Sequence, residues 1–387
     1  MDFGSLALVV AAGLMGPLFA SAHRFAPPVL VGEVVAGVVI GTSGFSWVDP
    51  DEPVLNGLAL IGFALLMFIV GTHLPVRDLR LRSALSIGVA LAATVSALAV
   101  VAGFVLAPVV GLHRPGIIAV VLATSSGAVA LPVLQSTGDA GRTWLVTTAW
   151  IAVADIGTVL ALPLVLATGG LARVVSGGAL VVGAGVVMLA IAEINRERAW
   201  VQRVRRYSHD RGWGLDLRIS LLALFVCAWL ANRFGSSILI AGFTVGIVVA
   251  VIGEPRRVAQ QLVGIGEGFA IPLFFVHLGA QIDLGALLDS PRALALAGAL
   301  SVVGIAIHVL AAVSWGLPVG MGLIAAAQLG VPVAVVSIGL ASKQLSAAQG
   351  AAVMASLLVT LGACAIGSAI LGDGGSLTDA SAPVERG

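Results

Sequence analysis

Thr147-Thr148-Ala149-Trp150-Ile151-Ala152-Val153-Ala154-Asp155-Ile156-Gly157-Thr158 places one carboxylate at the centre of an apolar run from Thr143 to about Thr168. If the run crosses a membrane, a charge at its middle costs roughly 2.5–3.5 kcal/mol on insertion scales. Burial disfavours the ionised form of a carboxylate, whereas a bound cation favours it. A proton and a cation therefore compete for such a group. If access to it changes only when one of them has neutralised it, exchange is obligatory. Asp155 is expected to be the site where a proton and a monovalent metal cation take turns. The alternative is a permanently protonated acid that bonds a neighbouring helix.

Other polar residues sit in comparable surroundings. One run contains Ala123-Thr124-Ser125-Ser126-Gly127-Ala128-Val129-Ala130-Leu131-Pro132, and another contains Ala327-Gln328-Leu329-Gly330-Val331-Pro332-Val333. Each brings glycine, proline and polar side chains together inside an otherwise apolar stretch. Such interruptions suggest discontinuous helices whose half-helix ends meet at the midplane. Freed carbonyls, the hydroxyls of Thr124, Ser125 and Ser126 and the amide of Gln328 then qualify as cation ligands. A simple proline kink, with hydroxyls bonded back to the preceding turn, is the other reading. His308 lies near the middle of a late run and is either a charge partner for the ion at Asp155 or a satisfied core residue. Glu33 and Glu267 serve either ion access or helix packing and helix-end charge.

The elements that must position these residues follow from composition. The chain has 387 residues, 59% of them hydrophobic and 10% charged. A soluble domain carries roughly 25% charge. Apolar runs of about 20 residues recur throughout, the length a membrane-spanning helix needs. The expected class is an all-α polytopic membrane protein with no sizeable soluble domain. Thirteen transmembrane helices are expected, at about 3–22, 27–42, 53–73, 83–109, 114–134, 143–168, 172–192, 216–232, 236–253, 262–281, 292–316, 318–341 and 345–372. The first reads as a retained helix rather than a signal peptide. Residues 1–372 form one transmembrane domain, and 373–387 a short disordered tail. Cys227 and Cys364 lie in apolar runs and read as small hydrophobes, without a disulfide or metal role. No cofactor and no nucleic acid are implied; the expected surroundings are a lipid bilayer.

Orientation follows from the arginines. With the N-terminus outside and the C-terminus cytoplasmic, fifteen Lys and Arg residues fall inside and five outside, in agreement with the positive-inside rule. Six of the inside group, Arg196, Arg198, Arg203, Arg205, Arg206 and Arg211, sit on the connection from Glu193 to Asp216, expected as a loop. That connection is either a topology determinant or an element that binds lipid or regulates.

An internal repeat is also legible. Val29-Leu30-Val31-Gly32-Glu33-Val34-Val35-Ala36-Gly37-Val38-Val39 matches Ile238-Leu239-Ile240-Ala241-Gly242-Phe243-Thr244-Val245-Gly246-Ile247-Val248 at an offset of 209. Gly62-Phe63-Ala64 with Phe68 and Val70 matches Gly268-Phe269-Ala270 with Phe274 and Val276 at an offset of 206. Both pairs relate helix n to helix n+7. Seven is odd, so two six-helix halves, about 1–168 and 216–372, insert with opposite orientation around a linker helix at about 172–192. The repeat pairs the fifth run with the twelfth, which makes helices 5 and 12 the discontinuous pair.

On these residues the chain resembles the monovalent cation:proton antiporter superfamily, the bacterial sodium- or potassium-proton exchangers of the cation:proton antiporter-2 type. The matching stretches are Val31 to Gly41, Ala123 to Gly127, Ile271-Pro272-Leu273-Phe274-Phe275-Val276-His277-Leu278-Gly279, and the run around Asp155. The resemblance implies thirteen helices, two inverted halves and two crossing broken helices. It also implies a core domain that moves against a dimerisation domain, usually in a homodimer. Three departures stand out: Ala154-Asp155 where relatives often carry two polar residues, His308 near the place of a lysine, and Leu329-Gly330-Val331 where many have Arg-Gly-Glu. With one carboxylate, a one-for-one exchange of Na+ or K+ for a proton is the simplest mechanism. A sodium-coupled symporter of an organic solute is the alternative. An intramembrane protease would need a second aspartate at mid-depth, and the chain has no His-Glu-x-x-His run for a zinc enzyme. The expectation is a transporter in the cell membrane and not an enzyme.

Overall fold

Glycine at helix crossings and proline at helix starts decide much of this architecture. The computed structural model describes residues 3–22, 29–73, 79–137, 141–166, 171–195, 198–211, 213–234, 238–252, 262 and 264–379. Among them every regular element is helical, and there is no strand. The helices are α1 (Phe3–Gly13), α2 (Met15–Ala22), α3 (Val29–Ile40), α4 (Pro53–His73), α5 (Leu79–Val110), α6 (Pro115–Ala123), α7 (Gly127–Ser136), α8 (Arg142–Val165) and α9 (Leu171–Asn195). They continue as α10 (Ala199–Asp210), α11 (Leu215–Arg233), α12 (Ile238–Ile252), α13 (Ile271–Ala280), α14 (Leu284–Leu288), α15 (Pro291–Ser314), α16 (Val319–Ala325), α17 (Gly330–Ala341) and α18 (Ala347–Asp379). A π-helical turn, Gly266–Ala270, leads into α13.

Ten helical stretches among the described residues are long and apolar enough to cross a membrane, counting α1 with α2, α6 with α7 and α16 with α17 as one stretch each. Three shorter apolar helices, Val29–Ile40, Ile238–Ile252 and Gly266–Ala280, accompany them. The protein is thus a multi-pass, all-helical membrane protein. The tail expected to be disordered from 373 is instead helical as far as Asp379, where it continues α18, while residues 380–387 lie outside the described residues, as do Arg24, Arg77, Arg196, Arg256, Arg257 and Arg386.

The chain divides into two units. The first comprises Met1–Gly16, Glu33–Asp78 and Val159–Ile282, and the second Pro17–Gly32, Leu79–Thr158 and Asp283–Gly387. In the first unit two helix pairs cross at backbone distance. A Cβ added at Gly37 of α3 would overlap the Val276 carbonyl of α13 and stand 2.9 Å from Gly279 Cα; one added at Gly279 would overlap the Val34 carbonyl and stand 3.0 Å from Gly37 Cα. The α4–α12 pair repeats this reciprocal pattern with Gly71 and Gly246, against the carbonyls of Phe243 and Phe68. Small residues at i and i+4, Gly37 on α3 with Gly41 just past its end and Gly242/Gly246 on α12, open this approach, as is common where lipid supplies no hydrophobic drive between helices.

In the second unit α6 and α16 each stop in mid-run. Pro115 occupies the first turn of α6 and Pro318 precedes α16, positions where a missing amide proton costs little. Thr124 and Ser126 are extended (φ −78°, ψ 141°; φ −97°, ψ 111°), so residues 124–126 interrupt the helix before Gly127 restarts it as α7. Residues 326–329 interrupt the other run before Gly330 restarts it as α17. The proline-kink alternative is not what these helices do. Pro132 lies within α7, beyond its break, and Pro332 sits in the first turn of α17.

One expected loop is ordered. Residues 199–210 of the basic connection form a helix, because Trp200, Val204 and Tyr207 recur at helical spacing with no glycine or proline between them.

Candidate functional site

The site is built where the two interrupted runs meet. The Ser126 N–H, freed by the break before α7, donates to the Ala327 carbonyl in the other break at 2.7 Å. Ser125 Oγ donates to the Ala325 carbonyl at 2.6 Å. Each interruption therefore satisfies part of the other's backbone, as polar groups removed from water require.

α8 presents Asp155 to this crossing. The side chain is 5% exposed, and its Oδ2 accepts a hydrogen bond from the Gly127 N–H at 2.9 Å. That amide is the first of α7, so the carboxylate stands at the positive end of a ten-residue helix. A Cβ at Gly127 would lie 3.0 Å from Oδ2, which is why a residue without a side chain serves here. One turn further along α8, Thr158 Oγ1 is 3.0 Å from Thr124 Oγ1 and also donates to the Ala154 carbonyl at 2.7 Å. Thr124 (1% exposed), Ser125 (0%), Ser126 (4%) and Thr158 (6%) are all buried.

His308 on α15 closes the far side. Its Nδ1 lies 2.8 Å from the Gly304 carbonyl, an acceptor, so Nδ1 carries a proton. Its Nε2 is 3.4 Å from Ser125 Oγ, and its ring stacks on Trp150 of α8, with centroids 5.8 Å apart and planes 19° apart. His308 thus reaches the same break that abuts Asp155, through Ser125. The structure brings together Asp155, Thr124, Ser125, Ser126 and His308 in the second unit.

Gln328, in the second break, is fully buried, and neither its amide nitrogen nor its amide oxygen has a hydrogen-bond partner among the described residues. The amide nitrogen lies 3.4 Å from where a Gly304 Cβ would stand, which places it beside α15 one turn from His308. The hydroxyls of Thr147 and Thr148 on α8 are buried and unpartnered in the same sense. A buried unsatisfied amide costs about 1–3 kcal/mol. We therefore expect Gln328→Met to raise the melting temperature, as thermal denaturation in detergent would show.

Glu33 and Glu267 belong to the first unit. Glu33 is 4% exposed on α3, whereas Glu267 is exposed on the π-helical turn. No group of three or more His, Cys, Asp or Glu able to hold a metal ion occurs among the described residues. Thr158, Trp150 and Gly127 lie in stretches that the sequence singles out but are not candidate site residues there, and Gly304 lies outside those stretches. Thr158 was findable, because i and i+3 share a helix face with the acid; the other three became apparent only through the fold.

Comparison with known proteins bears on the family and the fold. The family model described as "Sodium/hydrogen exchanger, transmembrane" matches residues 9–371. "Putative Na(+)/H(+) antiporter YjbQ" of Bacillus subtilis is 24% identical over 303 residues, covering 72% of this chain and 47% of that protein. The "Glutathione-regulated potassium-efflux system protein KefC" of Salmonella arizonae is 28% identical over 283 residues, covering 70% of this chain and 44% of that one. The chain thus spans about half the length of these relatives. Among solved structures, the sodium proton antiporter MjNhaP1 of Methanocaldococcus jannaschii superposes with a TM-score of 0.67 at 16% identity, covering 96% of this chain and 97% of the other. The two chains share a fold.

Proposed function

The chain belongs to the sodium/hydrogen exchanger family, and from that premise we propose that it exchanges a monovalent cation, Na+ or K+, for protons across a membrane, with both competing for Asp155. The observation that carries this reading is the placement of one buried carboxylate against the first amide of α7, beside the crossing of two interrupted helices. A carboxylate there needs a neutralising partner to pass through a dry barrier, and either a proton or a cation supplies it. Thr124, Ser125 and Gln328 are the side chains that replace part of the cation's hydration shell. Ser126 contributes through the backbone that holds the crossing together. His308, stacked on Trp150, orients the Ser125 hydroxyl from the far side. The antiport and efflux names of its relatives favour exchange over solute symport.

Several finer readings accompany this one. The three short apolar helices bring the number of crossings to thirteen. The two reciprocal glycine crossings support an inverted repeat, because the offset of 209 carries Gly37 onto Gly246 and so exchanges the α3–α13 pair for the α12–α4 pair. The excess of inside arginines supports a cell-membrane protein with its N-terminus outside and its C-terminus cytoplasmic. A homodimer, and a core domain that moves against a dimerisation domain, are what family likeness implies.

Competition makes a pH signature. Below the pH at which Asp155 ionises, each unit of acidification raises the cation concentration needed for half-maximal flux by up to about tenfold. The maximal rate is preserved while binding remains the only step affected. Proteoliposome flux across a panel of Na+, K+ and Li+ at several pH values measures this. A half-saturation constant that stays flat as pH falls, for every cation, would exclude competition.

A further inference from the structure

The basic connection between α9 and α11 is used by none of the chemistry above, yet it is folded in a particular way. α10 runs from Ala199 to Asp210 between two helices long and apolar enough to cross a membrane, Val175–Asn195 and Leu215–Arg233. Four residue steps join it to the first and five to the second, and a chain reaches about 3.5 Å per step. Both ends of α10 are thereby held within roughly 14–18 Å of a membrane-span end.

Its faces differ. Ser208 is 4% exposed, and its hydroxyl accepts the Leu215 N–H at 3.1 Å, which pins the helix to the start of α11. Trp200 (60% exposed), Val204 (40%) and Tyr207 (52%) form an open stripe at spacings of four and three. Arg203 and Arg206 are exposed beside this stripe. Beyond the helix end, the Arg211 guanidinium lies 5.6 Å from the centroid of Tyr207 and 5.5 Å from that of Trp213, itself 48% exposed. From Ala199 to Trp213 four arginines accompany one acid, Asp210.

Exposed aromatics and arginines on one short helix next to membrane spans match the composition of the headgroup layer, where amphipathic rings and cations are both favoured. We propose that α10 lies on the bilayer surface and docks onto anionic lipid, with Trp200, Val204 and Tyr207 entering the interface and Arg203, Arg206 and Arg211 facing the headgroup phosphates. The charge complementarity selects an anionic leaflet over a zwitterionic one. The cation–π contacts of Arg211 hold the aromatic and the cation together at one depth. This inference is independent of what the protein transports.

The test uses the full chain with Cys227 and Cys364, both buried, replaced by alanine and a nitroxide on Val204→Cys. The labelled protein goes into nanodiscs of phosphatidylcholine alone or with phosphatidylglycerol. The expected result is a several-fold loss of collision with a water-soluble nickel chelate, and a gain with oxygen, only when phosphatidylglycerol is present. A variant carrying Arg203→Gln, Arg206→Gln and Arg211→Gln should lose that dependence. Equal nickel access in both lipid compositions overturns the proposal. So does equal shielding in both, or spin–spin broadening that reports a second copy over the stripe.

Discussion

Asp155→Asn is expected to reduce cation-dependent proton flux in proteoliposomes to the level of protein-free vesicles, with the fold intact. The substitution keeps the side chain's size and leaves an amide oxygen that can still accept the Gly127 N–H at the α7 end. It removes the one property the mechanism needs, a group that is neutral with a proton and neutral again with a cation. The loss should therefore appear in rate at every pH and every cation concentration, rather than in half-saturation alone. Detergent-solubilised protein should elute and melt like the parent. Exchange that persists at a tenth of the parental rate or more would move the ion site elsewhere. The control for geometry is Gly127→Ala. Its Cβ would stand 3.0 Å from Asp155 Oδ2, so crowding, not loss of charge, should weaken cation binding while flux stays measurable.

The second large effect concerns the fold. Gly37→Leu or Gly246→Leu should abolish accumulation of folded protein, because the new side chain starts inside a partner helix's backbone. A flexible side chain can move aside from an added Cβ, whereas a carbonyl within a helix cannot move without breaking its own ladder. Separation of the crossing would expose both helices along a whole face, at a cost beyond the roughly 4–5 kcal/mol that marks an exceptional single substitution. Gly57→Ala provides the contrast, since nothing lies within 4 Å of a Cβ there, and it should accumulate and melt like the parent. Yield and monodispersity of a fluorescent fusion distinguish these outcomes. Normal yield of either leucine variant would mean that the crossings are looser than described.

Much of this site was legible in the primary structure because membranes make polar residues conspicuous. An acid with apolar neighbours on every side, as at Asp155, has few structural uses, and glycine and proline inside an apolar run mark a break as plainly at 124–126 as at 326–329. The parts that stayed hidden depend on long-range geometry. No local pattern says that the ring of His308 stacks on Trp150, or that Ser125 reaches both the Ala325 carbonyl and His308. Likewise, the apolar alignment at offset 209 suggested a repeat without showing that Gly37 and Gly246 each sit where two helix backbones nearly touch. Helix α10 was missed for the opposite reason. Its arginines dominated a composition-based reading, while the apolar stripe that orders it amounts to only Trp200, Val204 and Tyr207.

The donor that holds Asp155 is a main-chain amide. Mutation can change the acid through many codons, but only proline at position 127 would delete its partner. A saturation library selected for growth on salt should therefore show a lopsided tolerance map: a dense block of losses at 155, and at 127 a gradient by side-chain bulk with proline alone as a chemical null.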